Sequence, residues 1–475
     1  MAQVHHTVLD VLEFIGLADP IPELREHALR RGCHMSEHGR LCFPAALVED
    51  VIAASPKKMT YFGRDSSRDL AIGGAGVNTY GGGDAVNMLD VGARAYRPST
   101  LLDVYDLARL VDCMDNIHAY SRLVVATEFE DQFACDLNTA YASAAGTAKH
   151  TALTFNHASH VQPTLEMLCM IAGGEKKFRE RPFMHGGGCP VISPLRYGRE
   201  NSEVCLESTR FGAPVWIVVA PQAGTTAPAA LAGALVQAVA EALAGLLLVD
   251  MVHPGYPVML GPWPFISDLR TGSFSGGGGE EALVSAAAVQ MIGHYGLASS
   301  IGAGMTDSKL PDNQAGFEKG IAVTLAAHAG CNNVSESAGM VGSLMAVSPE
   351  ALVIDNDMLG AVLRTVRGIE INDETLSYDV IEQVVHGEGH YLRHDQTLRL
   401  MRSEYEYPQL SDRSMPGEWE AAGSPDIRQR AAERVKTILA SHYPTYIDPA
   451  TDRKIRERFP ITLPREAMFP GSGRW

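Results

Sequence analysis

From about residue 115 onward, short apolar runs alternate with longer amphipathic or alanine-rich runs. Apolar runs of this short kind predict β-strands, and the longer runs between them predict α-helices. The predicted strands are 118–126, 151–155, 183–188, 214–220, either 246–251 or 257–261, 298–303 and 332–337. The predicted helices lie near 131–147, 161–172, 197–211, 228–244, 280–294, 314–329 and 349–366. This alternation favours an α/β fold of the TIM (β/α)8 barrel type over a doubly wound sheet.

The barrel is predicted to occupy residues 115–400, between two additions. Residues 1–114 predict a helical and glycine-rich extension packed on the barrel, and residues 401–475 predict a tail that packs on the barrel or on a second subunit. Thr100 and Asp103 have the spacing of a capping box and predict a helix start there. The eighth strand has no clear candidate, and 386–392 could either close the barrel or belong to a flanking helix pair.

Composition excludes several classes of function. The formal net charge of −17 argues against nucleic-acid binding, which needs a basic surface. The most apolar run, 231–252, is interrupted by Glu241 and Asp250, so we predict a buried helix and no membrane span. The N-terminus lacks the basic-then-apolar order of a secretory signal. The eight cysteines form no CxxC pair, which predicts a reduced, cytoplasmic protein without a structural zinc site.

Barrel enzymes carry their chemistry on the loops that follow the strands. In this chain those loops hold acidic, aromatic and polar residues, namely Glu128, Phe155, His157, His185, Trp216, Gln222, Trp263, Asp307, Lys309 and Glu336. No obvious nucleophile is among them. An acidic pocket with an aromatic lining suits a methylated ammonium, because each aromatic face attracts a cation by about 0.5–2 kcal/mol and carboxylates balance the charge.

Each of these residues receives a role in this interpretation. We expect Glu128, Asp307 and Glu336 to stabilise the cation, and Phe155, Trp216 and Trp263 to form an aromatic wall. His157, His185 or Gln222 would donate hydrogen bonds to a substrate carboxylate. Lys309 would neutralise Asp307 or anchor that carboxylate. Trp216 could instead be a core residue, and the two histidines could be hydrogen-bonded loop residues.

Two further segments suggest sites. Four glycines, Gly276, Gly277, Gly278 and Gly279, precede a predicted helix, which can be the pattern of a phosphate-binding loop. Glu280 and Glu281 would repel a phosphate, so we favour a mobile lid or a loop that lets a bulky partner and its cofactor approach. Three histidines in 386–397 lack a carboxylate at useful spacing, and we therefore predict no metal site.

Five segments, in order along the chain, resemble the trimethylamine methyltransferase (MttB-type) superfamily of corrinoid-dependent methyltransferases. They are PQAGTTAPAALAGALVQAVAEALAG (221–245), TDSKLPDNQAGFEK (306–319), SPEALVIDND (348–357), GEGHYLRHDQT (387–397) and YPQLSDRS with Trp419 (407–419). The resemblance implies a TIM barrel whose central cavity holds a small methylated amine. It also implies that a separate corrinoid (cobalamin) carrier protein docks over the mouth and receives the methyl group.

The resemblance also bears on the substrate. The archaeal trimethylamine enzymes of this family carry pyrrolysine in the barrel, whereas the region 336–344 here contains only ordinary residues. This difference favours the non-pyrrolysine branch, which is similar to glycine betaine:corrinoid methyltransferases. No DxHxxG motif of a cobalamin-carrying module occurs, so we expect no corrinoid bound tightly within the chain. A homo-oligomer is expected from the alanine- and glycine-rich helices and the aromatic tail.

Two other classes remain open on the sequence. The chain could be a non-catalytic barrel that binds a methylated amine as a sensor or store. It could also be an unrelated barrel enzyme, such as a metal-assisted lyase or hydrolase.

Overall fold

The computed structural model of the chain describes residues 1–471 and 473–475 and has a mixed α/β fold, as the sequence predicts. Its parallel strands alternate with helices along the chain. In chain order these strands are Asn78–Thr79 (β1), Tyr120–Ser121 (β2), Thr151–Ala152 (β3), Met184–Gly188 (β4), Val215–Val219 (β5), Val258–Pro262 (β6), Ser300–Gly302 (β7) and Asn333–Ser335 (β8).

These strands pair in two parallel sheets. Strands β2 to β6 form one sheet in chain order, and β7, β8 and β1 form the other. Two isolated parallel bridges join the sheets: Leu260 of β6 pairs with Ser299, and Tyr80 pairs with Ala119. The pairings and bridges therefore run from each strand to the next, and from β8 back to β1. All eight carboxyl ends point the same way.

Helices connect these strands, and several begin at side-chain caps. Asp131, Asp312 and Ser348 each accept a hydrogen bond from a backbone N–H of the following helix. The α-helices are Ala2–Asp10, Pro22–Arg30, Ala45–Ala54, Leu101–Asp112, Gln132–Gly146, Ala158–Ala172, Glu175–Glu180, Arg199–Phe211, Leu231–Val252, Gly279–His294, Asn313–His328, Pro349–Arg367, Asp373–Leu376, Tyr378–Val385, Asp395–Leu400, Pro416–Ala421, Ile427–Ser441 and Pro449–Arg458.

Further short strands, most of them paired antiparallel, lie outside the two parallel sheets. The strands Gln222–Ala223, Phe265–Asp268 and Ser273–Ser275 form a small sheet on the loops after β5 and β6. The remaining short strands are His34–Met35, Leu41–Cys42, Met59–Tyr61, Leu70–Ile72, Asn87–Leu89, Tyr96–Pro98, Val191–Ile192, Arg196–Tyr197, Met340–Val341 and Ala346–Val347.

Each strand and helix predicted between residues 115 and 366 is present, although several strands are shorter than predicted, and the second alternative is correct for the fifth strand. Residues 246–251 continue the helix Leu231–Val252, which is buried because its small residues let it approach β5 closely. A Cβ atom at Gly245, for example, would overlap the side chain of Ile217. The capping box of Thr100 and Asp103 is also present.

Strand β1 lies where the sequence predicts an extension. It is two residues long and pairs with β8, so part of the region 1–114 belongs to the parallel sheet. Residues 386–392 lie in an exposed turn between the helices Tyr378–Val385 and Asp395–Leu400 and form no strand. The domain boundaries at 114 and 400 stay a prediction.

One helix in the described part of the chain, Leu231–Val252, is long and apolar enough to cross a membrane by length and composition. Its most apolar window is 78% buried inside the molecule, as in the core helix of a globular protein. All eight cysteines are free thiols, and most of them are buried.

Candidate active site

Asp84 and Arg122 form an ion pair at the carboxyl ends of β1 and β2. Asp84 ends the run Gly81-Gly82-Gly83-Asp84, and Arg122 follows β2 directly. The Arg122 Nε and Nη2 atoms donate to the two carboxylate oxygens of Asp84 at 2.6 and 2.9 Å. Backbone bonds hold the pair in place, since Asp84 N–H donates to the Arg122 carbonyl. A side-on, bidentate contact of this kind fixes both groups.

Glu336 follows β8, the strand beside β1, and its carboxyl group is buried. Its backbone has a φ of +56°, which is uncommon for a residue with a side chain and marks a position held by its surroundings. The Oε2 atom has no hydrogen-bond partner among residues 1–471 and 473–475. Burial, reinforced by the negative charge of Asp84, raises the pKa of Glu336 to about 8.

Glycines make room for this carboxyl group. A Cβ atom at Gly83 would lie 2.5 Å from the Glu336 Oε2 atom, and one at Gly82 would lie 2.7 Å from the Ser121 Cβ atom. Gly83 has a φ of +144°, so a side chain there would also strain the backbone. The glycine run thus lets Asp84 and Glu336 approach each other.

We infer a cavity at these strand ends from the surface that their side chains keep. The Asp84 side chain is 40% exposed and that of Arg122 is 11% exposed. Cys189, just after β4, also has exposed surface. The protein around it nevertheless excludes enough water to raise the pKa of its thiol to about 11, and the charge of Asp84 contributes to this rise. A side chain with open surface that is surrounded by protein lines an internal hollow. We call the hollow formed by Asp84, Arg122, Thr154, Cys189 and Glu336 the strand-end cavity; Thr154 Oγ1 lies 3.4 Å from Asp84.

Aromatic rings on β4, on β5 and just after β6 pack against one another. Trp216 of β5 and Trp263, just after β6, have ring centroids 5.4 Å apart, and His185 of β4 lies edge-on to Trp216 at 5.5 Å. Trp263 packs on Gly302 of β7, where a Cβ atom would lie 2.9 Å from the indole. Three of the predicted site residues therefore share one interior.

The hydrogen bonds of the interior histidines fix their tautomers. His150 Nδ1 is 2.8 Å from the Phe62 carbonyl, so it carries a proton, and its Nε2 accepts from His185 Nδ1 at 2.9 Å. Burial lowers the pKa of His150 to about 4 and also lowers that of His185. Both rings are therefore neutral at pH 7, and Tyr61 stacks on both of them.

Several buried polar atoms of this interior have no partner within the described residues. They are Tyr61 Oη, Tyr80 Oη, His185 Nε2, Trp216 Nε1, Trp263 Nε1 and Asn333 Oδ1. Buried polar groups are normally satisfied, by protein, water or ligand. The interior therefore offers hydrogen-bonding groups to small polar molecules.

Asp307 anchors the glycine loop and does not enter the strand-end cavity. Its carboxylate accepts hydrogen bonds from Ser275 Oγ at 2.7 Å, from the Gly276 backbone N–H at 2.9 Å and from Ser343 Oγ at 2.6 Å. A Cβ atom at Gly277 would overlap the Glu318 carboxylate. Asp307 thus ties the loop 276–279 to the loop after β8, and Gly278 and Gly279 lead into the helix Gly279–His294.

The other predicted site residues lie elsewhere. Glu128 is exposed and accepts from the backbone N–H of Leu101 at 2.8 Å, which caps a helix. Phe155 is buried near Gly186 and Ser208, on the side of β4 that faces a helix. Gln222 accepts a hydrogen bond from Ser267 within the small sheet that follows β5 and β6.

His157 and Lys309 lie on the surface. His157 bonds to Glu200 and Gln132, which begin neighbouring helices, and Lys309 is exposed and donates to the Asp307 carbonyl at 2.6 Å. The hydrogen bonds of Glu128, His157, Gln222 and Lys309 go to groups outside the strand-end cavity, and a ligand contact of these residues or of Phe155 stays a prediction.

Sequence reasoning missed Asp84, Arg122 and Cys189. The available signal was the run Gly81-Gly82-Gly83-Asp84, because an acid after consecutive glycines often marks a close backbone approach. Within the described residues, no group of three or more His, Cys, Asp or Glu side chains has the geometry to hold a metal ion.

This acidic and aromatic cavity at the carboxyl ends of parallel strands is an arrangement of small-molecule enzymes. The family model "Trimethylamine methyltransferase (MTTB)" matches residues 1–461, and the chain belongs to that family. Members of known name are methyltransferases, among them trimethylamine methyltransferase MttB of Desulfitobacterium hafniense (strain DSM 10664 / DCB-2). That protein is 32% identical over 442 residues, which cover 93% of this chain and 88% of the relative.

Two more relatives show the range of the family. Trimethylamine methyltransferase MttB of Methanosarcina barkeri is 33% identical, with 94% of this chain and 90% of the relative covered. A glycine betaine methyltransferase of Desulfitobacterium hafniense strain Y51 is 30% identical, with 96% and 94% covered. A crystal structure of a hydroxylamine MtmB complex superposes with a TM-score of 0.50 at 12% identity, covering 92% of this chain and 93% of the other, and supports the fold alone.

Proposed function

We propose that this protein is a methyltransferase that moves a methyl group from a betaine-like quaternary or tertiary amine to the Co(I) corrinoid of a separate carrier protein. One observation carries the proposal most strongly, namely the buried Glu336 carboxyl group beside Asp84. A buried acid next to a second acid favours a cationic ligand, because the ligand's charge compensates both carboxylates. The family supplies the methyltransferase class.

We further propose that the two parallel sheets close into one (β/α)8 barrel. The isolated bridges Leu260–Ser299 and Tyr80–Ala119 support this closure, since they join the sheet edges in the order that a barrel requires. In a barrel the carboxyl ends of all eight strands surround one mouth. Asp84, Arg122, Trp263 and Glu336 would then face the same ligand from different strands.

The chain's own residues would bind and orient the amine. Asp84 and an ionised Glu336 would stabilise the ammonium charge, and the indole rings of Trp216 and Trp263 would exclude water from the methyl groups. A quaternary ammonium leaves as a neutral tertiary amine, so no side chain has to protonate it. This requirement fits a site without an obvious acid–base pair, and orientation supplies most of the catalysis.

The methyl acceptor would reach the amine from the mouth. When the carrier is docked, its corrinoid supplies the nucleophile for the methyl group. The small sheet after β5 and β6 and the loop 276–279 lie among the carboxyl-end loops, and we propose that this loop shifts to admit the carrier. The three hydrogen bonds to Asp307 would restore its position after release.

A methyl-transfer assay tests the proposal. The purified protein, a reduced corrinoid carrier and glycine betaine are expected to give dimethylglycine in amounts equal to the carrier methylated. Tight betaine binding without product would favour the non-catalytic binder. A stoichiometric metal in protein purified without chelators, together with no amine binding, would favour the metal-assisted lyase or hydrolase.

We also propose a cytoplasmic location and self-association. Eight free and mostly buried thiols suit a reducing compartment. The helix Asn313–His328 exposes Phe317, Ile321 and Leu325 at four-residue spacing, and Gly316 and Gly320 beside them have open space above. Exposed apolar surface in this pattern suits packing against a second copy of the chain.

A further inference from the structure

We propose that Arg122 is the carboxylate-binding residue of the site and that the site therefore selects zwitterionic amines, which carry both an ammonium and a carboxylate group. The inference rests on the proposed function and names the substrate class of the same cavity. It replaces His157, His185, Gln222 and Lys309 in that role, because three of these lie outside the cavity and His185 offers a lone pair in place of a proton.

The guanidinium of Arg122 has a free edge. Arg122 uses Nε and one hydrogen of Nη2 for Asp84, which leaves the edge formed by Nη1 and the second Nη2 hydrogen. No described residue accepts a hydrogen bond from Nη1. Two parallel N–H groups on one edge match the two oxygens of a carboxylate. The Asp84 contact holds this second edge in a fixed direction.

The position of Arg122 also suits a ligand carboxylate. The Arg122 side chain is mostly buried but keeps some surface, and Asp84, with which it pairs, is open to the strand-end cavity. Another acid lies nearby, Asp136, but its oxygens already accept from the Asn156 backbone and side chain and from His160. A ligand carboxylate would therefore find the guanidinium edge without displacing an existing partner.

The charges of the site favour a zwitterion as well. Asp84 and Arg122 cancel each other, and Glu336 beside them is the group whose ionisation can adjust to a ligand. A zwitterion brings a negative group for the free edge of Arg122 and a positive group for the two acids. A simple quaternary cation leaves that edge unpaired inside the protein, which is unfavourable.

Matched ligands test the inference. Glycine betaine and its methyl ester have nearly the same shape, but the ester lacks the carboxylate charge. Calorimetric titration of the wild-type protein is expected to show glycine betaine binding at least about tenfold more tightly than the ester. In Arg122→Gln this preference should vanish, because betaine binding weakens by about the same factor and ester binding changes by less than about threefold.

Controls separate the possible failures. Arg122→Lys keeps the charge but lacks the planar edge, so we expect it to fold and to retain a betaine preference of about threefold. Arg456→Lys alters an ion pair with Asp452 in the C-terminal tail and should leave both ligands unaffected. The inference would be overturned if the wild type bound betaine and ester equally, or if the Arg122 variants lost affinity for both ligands to the same extent. Neither result would contradict the amine site itself. Binding of neither compound would contradict the proposed function itself.

Discussion

Glu336 and Asp84 face each other from the carboxyl ends of two paired parallel strands, and each adopts a left-handed backbone, with φ of 56° and 48°. The charge of Asp84 adds to burial in raising the pKa of Glu336 to about 8. Holding two acids in strained conformations within one cavity is unfavourable without a ligand. We therefore expect this pair to bind a cation.

Amine binding should depend on pH through Glu336. The free protein holds this group protonated below pH 8, and a bound ammonium favours the ionised form, so binding below pH 8 must release a proton. The affinity for tetramethylammonium should rise by up to about tenfold per pH unit between pH 6 and 8 and level off above. Calorimetry in buffers of different ionisation enthalpy measures the proton released.

A matched variant identifies the group responsible. Burial also raises the pKa of Glu281 to about 8, but Glu281 lies near Asp307 and bonds to Ser285, away from Asp84. Glu336→Gln should abolish the pH dependence of binding, and Glu281→Gln should preserve it. The reverse pattern would show that the cation binds at Glu281 and not at Glu336.

Stability should change with pH in the opposite direction to binding. A folded-state pKa above the ordinary value of 4.5 means that the folded protein holds the proton more tightly than the unfolded chain. The contribution of Glu336 to the free energy of unfolding is therefore full below about pH 4.5 and falls as pH rises to about 8. Urea unfolding across this range should show a smaller decline in Glu336→Gln than in the wild type.

Gly83 should tolerate no side chain. An added Cβ atom would lie 2.5 Å from Glu336 Oε2 and would overlap the Met340 side chain, in addition to the strain at φ of +144°. We expect Gly83→Ala to lower the free energy of unfolding by about 2–4 kcal/mol and to abolish amine binding. Gly92→Ala is the control, because φ is +77° there but nothing lies within 4 Å, and about 1 kcal/mol is expected. Equal costs for both would show that steric contact with Glu336 is absent.

The glycine loop should loosen when Asp307 is removed. Asp307→Ala deletes the acceptor of three hydrogen bonds, including that from the Gly276 backbone. Arg270 is highly exposed in the hairpin formed by the strands Phe265–Asp268 and Ser273–Ser275, directly before the glycine loop. Trypsin cleavage after Arg270, measured from the masses of the fragments, should therefore become at least about tenfold faster. Asp312→Asn, at the start of the next helix, should leave this cleavage rate unchanged. An unchanged rate in Asp307→Ala would mean that other contacts hold the loop.

Self-association should depend on the exposed stripe of the helix Asn313–His328. We expect the wild type to be a dimer or larger by light scattering, and Phe317→Glu with Ile321→Glu to shift it to monomer. Leu269→Glu, at an exposed apolar residue of the hairpin, serves as the control and should not change the mass. A monomeric wild type would contradict the expectation.

Much of the fold follows from local sequence, because strands β2 to β8 are short apolar runs between helical ones. Strand β1 does not, because its two residues, Asn78 and Thr79, lie among glycines and gain strand character only by pairing with β8 at the far end of the chain. Local propensity carries no information about such a contact.

The same distinction between local and long-range contacts applies to the site residues. His185, Trp216 and Trp263 share the interior because alternation along a strand decides which side chains point inward. Glu128 and Gln222 lie in the predicted loops but serve a helix cap and a small sheet, since loop conformation decides where such side chains point. The pairing of Asp84 with Arg122 depends on β1 and therefore cannot be predicted from local sequence.

The demethylation of glycine betaine by the wild type, Glu336→Gln and Glu281→Gln, each with the same reduced corrinoid carrier, tests the central claim most directly. We expect dimethylglycine from the wild type and from Glu281→Gln at similar rates, and a rate at least about 100-fold lower from Glu336→Gln. No dimethylglycine from the wild type, with a carrier that another methyltransferase can methylate, would contradict the account, and so would an undiminished rate in Glu336→Gln.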